Sequence, residues 1–516
     1  MALRFLVLVI CFSFFSCKKE KPLVQTSIEK LVLIPIPDQI VAEDYGFLFD
    51  QETVVTSDTL PEIKAIASQF KKLLKNTAFP LKSGDDEVKQ NVISFDMVSS
   101  DSISSPEGYV LAINNKRLSL AGSTPTGVFR GMQTLLQVLP DAVIVGKQID
   151  SLVIPGLKIV DEPQYEYRGM MLDVARHFFT VDEVKRLIDQ MAFYKLNKLH
   201  LHLTDDQGWR IEIKSWPKLT EIGGSSSVRN ERPGFYTQED YKSIVAYAQS
   251  KFITVIPEID MPGHTNAALA SYPELNCNGK ATKLYKGMRV GFSTLCVDKD
   301  ITYTFVEDVI KEIAAMTPGP YIHLGGDESH VTSKKDYNIF LNKVFPIVKK
   351  CNKQVIGWEE IESAGIDSTY IVQHWQRTTT ASRGLAQGAK VILSPAKRMY
   401  LDMKYTKKSP IGLTWAGTVE LDSAYIWNPS QIFKNVLVSQ VLGIESPLWS
   451  ETIKSSDDIE YLAFPRLIGH AELGWSNPSN YNWDSYKKRL NKHYKRMDIL
   501  EINYYNSPVL ETKIKL

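Results

Sequence analysis

Apolar positions along this chain follow two rhythms. From Tyr165 onward, short β-rich apolar runs alternate with stretches in which apolar residues return every three or four positions. The runs are Arg168–Asp173, Lys198–Leu203, Ile253–Ile259, Tyr321–Leu324, Gln354–Trp358, Tyr370–His374, Lys390–Ser394 and Val441–Glu445. Between them, Val181–Lys195, Gln238–Gln249, Tyr303–Ala315 and Ser333–Lys349 carry amphipathic helical spacing. Eight strand–helix units over about 310 residues predict an α/β fold, a (β/α)8 TIM barrel with insertions spanning 163–500. Residues 501–516 follow as a tail.

Residues 18–162 read differently. Short β-rich runs at Lys30–Ile36, Asn91–Met97, Tyr109–Asn114 and Arg117–Ala121 surround two helical stretches, Leu60–Lys75 and Thr126–Val138. The pattern predicts a small α+β domain with nothing catalytic in it. Asp161-Glu162-Pro163 closes the unit, because the residue before a proline is pushed out of helix.

The first sixteen residues stand outside both units. Arg4 precedes an apolar run too short to span a bilayer comfortably, with the shape of a secretory signal. The run ends Phe14-Phe15-Ser16-Cys17, and a small residue directly before Cys resembles a bacterial lipoprotein cleavage site. That resemblance implies an exported chain, lipid-anchored at Cys17 in a bacterial cell envelope. The alternative is an ordinary signal peptide with an incidental Cys.

Export permits a disulfide. Cys277 and Cys296 flank a loop-like segment, and a bridge closing it would stabilise it by roughly 3 kcal/mol. Cys351 reads as a free thiol, and no cysteine has metal-ligand spacing. The composition, 44% hydrophobic and 23% charged, is that of an ordinary soluble globular protein. Lys plus Arg is 60 and Asp plus Glu is 59, which gives no global field toward nucleic acid or an anionic membrane. Membrane contact is expected only through a lipid at Cys17.

Such barrels carry their chemistry at the C-terminal ends of the strands. Polar and aromatic residues cluster at those ends here: Asp173-Val-Ala-Arg176-His177; His200-Leu-His202-Leu-Thr-Asp205-Asp206; Glu258-Ile-Asp260-Met-Pro-Gly-His264; His323-Leu-Gly-Gly-Asp327-Glu328. Trp358-Glu359-Glu360, His374-Trp375, Tyr400-Leu-Asp402, Trp415 and Trp449-Ser-Glu451 continue the series. Acids and aromatics around one mouth, without a phosphate loop or cofactor fingerprint, suit a neutral polyhydroxylated ligand. Glycoside hydrolysis needs one carboxylic acid to protonate the leaving oxygen and a second group to stabilise or attack the anomeric carbon. Asp327 and Glu328, after two glycines that let the backbone turn close to a ligand, are the strongest candidates.

His323-x-Gly-Gly-Asp-Glu, together with Arg176, Asp205 and the Pro-Gly-His264 turn, resembles the family-20 glycoside hydrolases, the β-N-acetylhexosaminidases. Glu107-Gly-Tyr109 and Gly131-Met-Gln-Thr-Leu-Leu-Gln137 resemble that family's accessory domain. The resemblance implies exo-hydrolysis of terminal β-linked N-acetylglucosamine or N-acetylgalactosamine from glycans. The route is retaining and substrate-assisted: the sugar's own acetamido carbonyl attacks the anomeric carbon to give an oxazolinium. By resemblance Glu328 is general acid, then base, and Asp327 orients the acetamido N–H. Tyr400 would donate to the acetamido oxygen, with Trp358, Trp375 and Trp449 walling the pocket and Trp415 completing the platform. Arg176, Glu451 and Asp402 would hold the sugar's polar edge, and Asp205 and His264 would form a support network.

The family needs no metal or cofactor, so His200, His202 and His323 read as packed, hydrogen-bonded barrel histidines. Asp173 reads as structural, and Trp216, Trp427, Trp475 and Trp483 as packing. Asp206 and Trp209 stay ambiguous between site and loop core. The alternatives are a related family activity, releasing a disaccharide or accepting a sulfated sugar, and a non-catalytic surface glycan-binding protein.

Overall fold

The computed structural model describes residues 23–74, 82–83, 91–99, 101, 103–144, 151–434 and 436–510. The signal segment 1–16 and Cys17 lie outside the described residues. Eight parallel strands close into a barrel in chain order: Tyr167–Asp173, Lys198–His202, Thr254–Glu258, Tyr321–His323, Gln354–Trp358, Ile371–His374, Lys390–Leu393 and Val441–Leu448. Each coincides with an expected run to within a few residues. Parallel strands under a ring of helices are buried on both faces, so they read as short continuous apolar runs. The first strand is fully buried along its length.

The helices at Val181–Phe193, Gln238–Ser250, Asp300–Met316 and Lys334–Lys350 lie where the 3.6-residue spacing put them. Their starts are chemically marked. Thr180 and Thr237 each accept from the backbone three residues on, and Glu183 and Asp240 reach back to complete capping boxes. Three further helices, Ser456–Ala463, Arg466–Trp475 and Trp483–Ile499, follow the last strand. The segment after them packs down: Ile502 and Leu510 are buried, and Tyr505 stacks on Tyr405 at 3.9 Å.

The N-terminal domain is a seven-stranded mixed sheet ordered 39–42, 157–161, 109–113, 117–122, 92–97, 54–57, 82–83. Helices Pro61–Leu73 and Pro125–Val138 pack against it. The second is buried nearly all round, between its own sheet and the barrel, with Phe129 meeting Phe252 at 5.1 Å. One expectation fails here. Lys30–Ile36 forms no strand; the Ile34 N–H donates to the Gln137 side chain (2.9 Å), whose amide donates back to the Ile34 carbonyl (2.8 Å). The apolar run reported burial, but Pro35 and Pro37 lack the N–H a ladder needs.

The domains meet at the foot of the barrel through buried charges. Glu107 takes Arg130 (2.8 Å) and Arg168 (2.7 Å), while Asp161 takes Lys195 (2.9 Å), Tyr109 (2.5 Å) and Trp475 (3.0 Å).

Candidate active site

At the opposite end, the loops after the strands enclose a cavity of about 320 Å3. Its lining includes Arg176, Asp327, Glu328, Trp375, Tyr400, Trp415, Trp449 and Glu451, which the sequence singled out, and Met288, Val290, Gln376 and Leu413, which it did not. A larger hollow of about 680 Å3 lies between the two domains but is mainly apolar and holds none of these groups.

The aromatic walls support one another. Trp375 stacks on Tyr400 (6.4 Å, 18°), and Trp415 meets both rings edge-on at 5.9 and 5.7 Å. Trp449 carries the Arg176 guanidinium over its face at 4.7 Å. Trp415 is half exposed, so it edges the mouth. Trp358 and Asp402, each 1% exposed, stand behind this lining. Trp358 packs on Trp449 (5.8 Å) and donates its indole N–H to Glu258 (2.9 Å). Neither oxygen of Asp402 has a well-formed hydrogen bond among the described residues, and burial, then the Glu451 charge, raises its carboxyl well above the usual range.

The turn carrying Asp327 and Glu328 is built by its glycines. Gly325 and Gly326 have φ of +64° and +94°, and a Cβ on Gly325 would lie 1.9 Å from the Asp260 carboxylate. Asp260 explains that closeness: its Oδ1 accepts the Gly326 N–H at 3.0 Å, while the Tyr337 hydroxyl donates to the Gly326 carbonyl at 2.6 Å. Glu328 itself sits at φ +43°, in a region side chains seldom adopt. Burial, then the neighbouring Asp327 charge, raises the Glu328 carboxyl, so it keeps its proton to higher pH than an ordinary glutamate, the direction an acid catalyst needs.

Beneath the cavity the histidines join the acids into one chain. Glu445 meets His200 (2.9 Å), which reaches Glu258 (2.9 Å); Glu258 meets His202 (2.5 Å), which reaches Asp205 (2.9 Å). Asp205 holds Arg176 (2.7 Å) and His264 (3.2 Å), and the far nitrogen of His264 lies 3.7 Å from Asp327. Burial alone would lower these imidazoles. The carboxylates outweigh it, raising His200 to about 9 and His202 and His264 well above their ordinary value. Imidazoles and carboxylates therefore alternate along the chain, although His200 Nε2 and His264 Nε2 have no well-formed hydrogen bond among the described residues.

Asp173 caps the first loop by accepting from the Ala175, Arg176 and Ser450 backbones (2.8, 3.1 and 2.9 Å). Asp206 accepts from Ser293 (2.5 Å) and the Asn266 N–H (3.0 Å), and Trp209 donates to the Ile211 carbonyl (2.7 Å), so both anchor loops. Cys277 and Cys296 are bonded, closing the loop that brings Met288 and Val290 to the cavity; Cys351 is free. Met288 and Val290 lie in a stretch without periodicity, and nothing local in the sequence marks them. Asp260 was visible at a strand end, but its role depends on contact with a turn more than sixty residues away.

Comparison with known proteins agrees with this geometry. Residues 165–478 match the model of the glycosyl hydrolase family 20 catalytic domain, and 30–162 that of domain 2 of the same family. The chain is 36% identical over 488 residues to a β-N-acetylhexosaminidase of Cellulomonas fimi, covering 93% of this chain and 96% of that protein. It is 34% identical over 502 residues to a β-hexosaminidase of Porphyromonas gingivalis, covering 92% of this chain and 64% of that longer protein. The solved GH20 β-N-acetylhexosaminidase of Streptomyces coelicolor superposes with a TM-score of 0.89 at 43% identity, covering 94% of this chain and 98% of the other. A mutant Streptomyces plicatus β-hexosaminidase in complex with product GlcNAc gives 0.88 at 44% identity, with coverage of 94% and 98%. Both halves of the molecule thus point the same way, and the chain belongs to glycosyl hydrolase family 20, as a glycoside hydrolase.

Proposed function

We propose that this β-N-acetylhexosaminidase removes single terminal β-linked N-acetylglucosamine or N-acetylgalactosamine units with retention, using the substrate's acetamido group as nucleophile. The observation that carries the reading is the pairing of Asp327 with Glu328, whose carboxyl is raised, on the wall of an aromatic cavity of about 320 Å3. A cavity of that size, closed by Trp375, Tyr400 and Trp449, suits a terminal sugar better than the middle of a chain.

In this mechanism Glu328 gives its proton to the glycosidic oxygen as the acetamido oxygen attacks the anomeric carbon. Asp327 accepts the acetamido N–H and stabilises the positive charge developing on the group. Tyr400 donates its hydroxyl hydrogen to the acetamido oxygen, aiming it. Deprotonated Glu328 then takes a proton from water, which opens the oxazolinium with net retention. Arg176 and Glu451 take the sugar hydroxyls, with Asp402 buried behind the lining where its charge faces Glu451, and Asp205 with His264 holds Arg176 and Asp327 in register. The chain acts outside the cytoplasm, tethered through Cys17; a disulfide at Cys277–Cys296 suits such a compartment.

The test is to compare an aryl β-N-acetylglucosaminide with the corresponding aryl β-glucoside. Loss of turnover on the glucoside is expected, since it removes the nucleophile. Equal rates on the two would overturn the substrate-assisted route.

A further inference from the structure

A second cleft, of about 430 Å3, continues the sugar cavity on the side of the proposed acid. The two share Glu328, Trp375 and Gln376. Because Glu328 protonates the bond to the leaving group, whatever remains of the glycan after the terminal sugar is released extends from Glu328 outward. This rests on the reading of Glu328 given above.

The charges of this cleft are unbalanced. Of its acids, Glu359 is 1% exposed and already accepts from His374 (2.6 Å), the Trp375 N–H (3.2 Å) and the Arg377 N–H (2.5 Å). Glu362 is paired with Arg383 at 2.5 Å. Glu360 accepts from the Trp375 indole at 3.2 Å, and burial, then the Asp327 charge, raises it to about 8. The Glu328 carboxyl is likewise raised, by burial and then by the Asp327 charge. Against these stand Lys334 and Arg377, both exposed, whose side chains have no ion pair or hydrogen bond among the described residues. His330 adds a third basic group to the same wall.

Their placement breaks a local rule. Lys334 is the first residue of the 17-residue helix Lys334–Lys350, whose first-turn acid, Asp336, is engaged with Ser333 rather than with Lys334, and Arg377 caps the start of helix Thr378–Ala386, whose first turn has no acid. A cation at a helix N-terminus opposes the helix dipole and is mildly unfavourable there. Two unpaired cations set against two dipoles, on one wall beside the proposed acid, add to the positive potential there. A departure from local preference with no compensating partner marks a functional position. The sugar cavity next door is the opposite, lined by Asp327, Glu328 and Glu451 against Arg176 alone.

We infer that Lys334 and Arg377 make the leaving-group side of this site selective for glycans bearing a negative charge, a carboxylate or sulfate, on the portion left behind after cleavage. The terminal sugar itself is neutral in this reading.

The experiment compares kcat/KM for three disaccharides at low salt. Each carries a β-linked terminal N-acetylglucosamine, joined to a neutral hexose, to a uronic acid, or to a 6-sulfated hexose. The anionic acceptors are expected to be favoured about 3- to 10-fold, with the advantage fading in 1 M salt. The uronic acid and sulfate arms tell the two sources of charge apart. In a double variant, Lys334→Glu with Arg377→Glu, the ratio of anionic to neutral kcat/KM should fall below one. A ratio of one in the unaltered enzyme, with aryl N-acetylglucosaminide still cleaved, overturns this inference and leaves the activity standing. Failure to cleave any of these substrates overturns both.

Discussion

Two buried clusters of charge, at opposite ends of the same barrel, are handled in opposite ways. At the foot, both oxygens of Glu107 and of Asp161 have donors: Asn197, Arg130 and Arg168 for the first, Asp38, Trp475, Tyr109 and Lys195 for the second. At the mouth, Asp327 Oδ1, Glu451 Oε2, Arg176 Nε and both oxygens of Asp402 lack a well-formed hydrogen bond among the described residues. Burial alone would raise the Glu107 carboxyl, but two guanidiniums outweigh it and hold it far below its usual range. At Glu451, Asp402 and Glu328 burial outweighs the nearby cations (Arg176, Arg466 and His264 respectively), and the carboxyls are raised. The difference teaches how to tell glue from machinery: the carboxylates at the foot are saturated by the fold, even though Arg130 Nη1 beside them has no well-formed hydrogen bond among the described residues, while a ligand site leaves carboxylate oxygens for the ligand to satisfy.

The sharpest way to break that contrast is Glu328→Gln, which keeps shape and removes the proton. It should cut kcat/KM on disaccharide substrates by about 10^3-fold with little change in the thermal midpoint. A stability loss matching the activity loss would mean the mouth is structural after all. Glu107→Gln is the converse. Leaving Arg130 and Arg168 without their anion should cost about 3–5 kcal/mol in denaturant unfolding, while kcat of the folded fraction stays near that of the unaltered protein.

A smaller effect separates the unpaired mouth carboxylates from the paired ones. Asp402→Asn should raise KM about tenfold while leaving stability equal or slightly higher, because the fold gains nothing from that buried acid. The smallest effect is a slope. Glu360, raised to about 8, and His200, raised to about 9, bind protons more tightly folded than unfolded. Their contribution is complete below the unfolded values, about 4 for Glu and 6.5 for His, and is lost as pH climbs through the folded ones. The thermal midpoint should therefore fall between pH 5 and pH 9, and Glu360→Gln should flatten the lower part of that fall.

How much could be read beforehand follows from the range of each interaction. Barrel strands such as Gln354–Trp358 were legible because full burial writes itself as a short apolar run between breakers. The candidate site was legible because strand ends lie beside those runs in sequence, so Asp327 and Glu328 stand on the cavity wall where that rule put them. Lys30–Ile36 misled because apolarity reports burial, not whether a neighbour offers a ladder or a glutamine side chain. Trp358 and Asp402 pointed to the right end of the barrel, but depth is not written in a residue's own neighbours.

Sequence alone thus settled the order of elements and the place of the adjacent acids at the end of the barrel that holds the aromatic cavity, since each is encoded within a few residues. Tertiary structure decided the rest: that Glu258 links His200 and His202, that Asp260 holds the Gly326 turn, and that Glu107 welds two domains through arginines 23 and 61 residues away. Those choices depend on desolvation and on the pairing of charges brought together only when the chain closes, and no local pattern of residues records them.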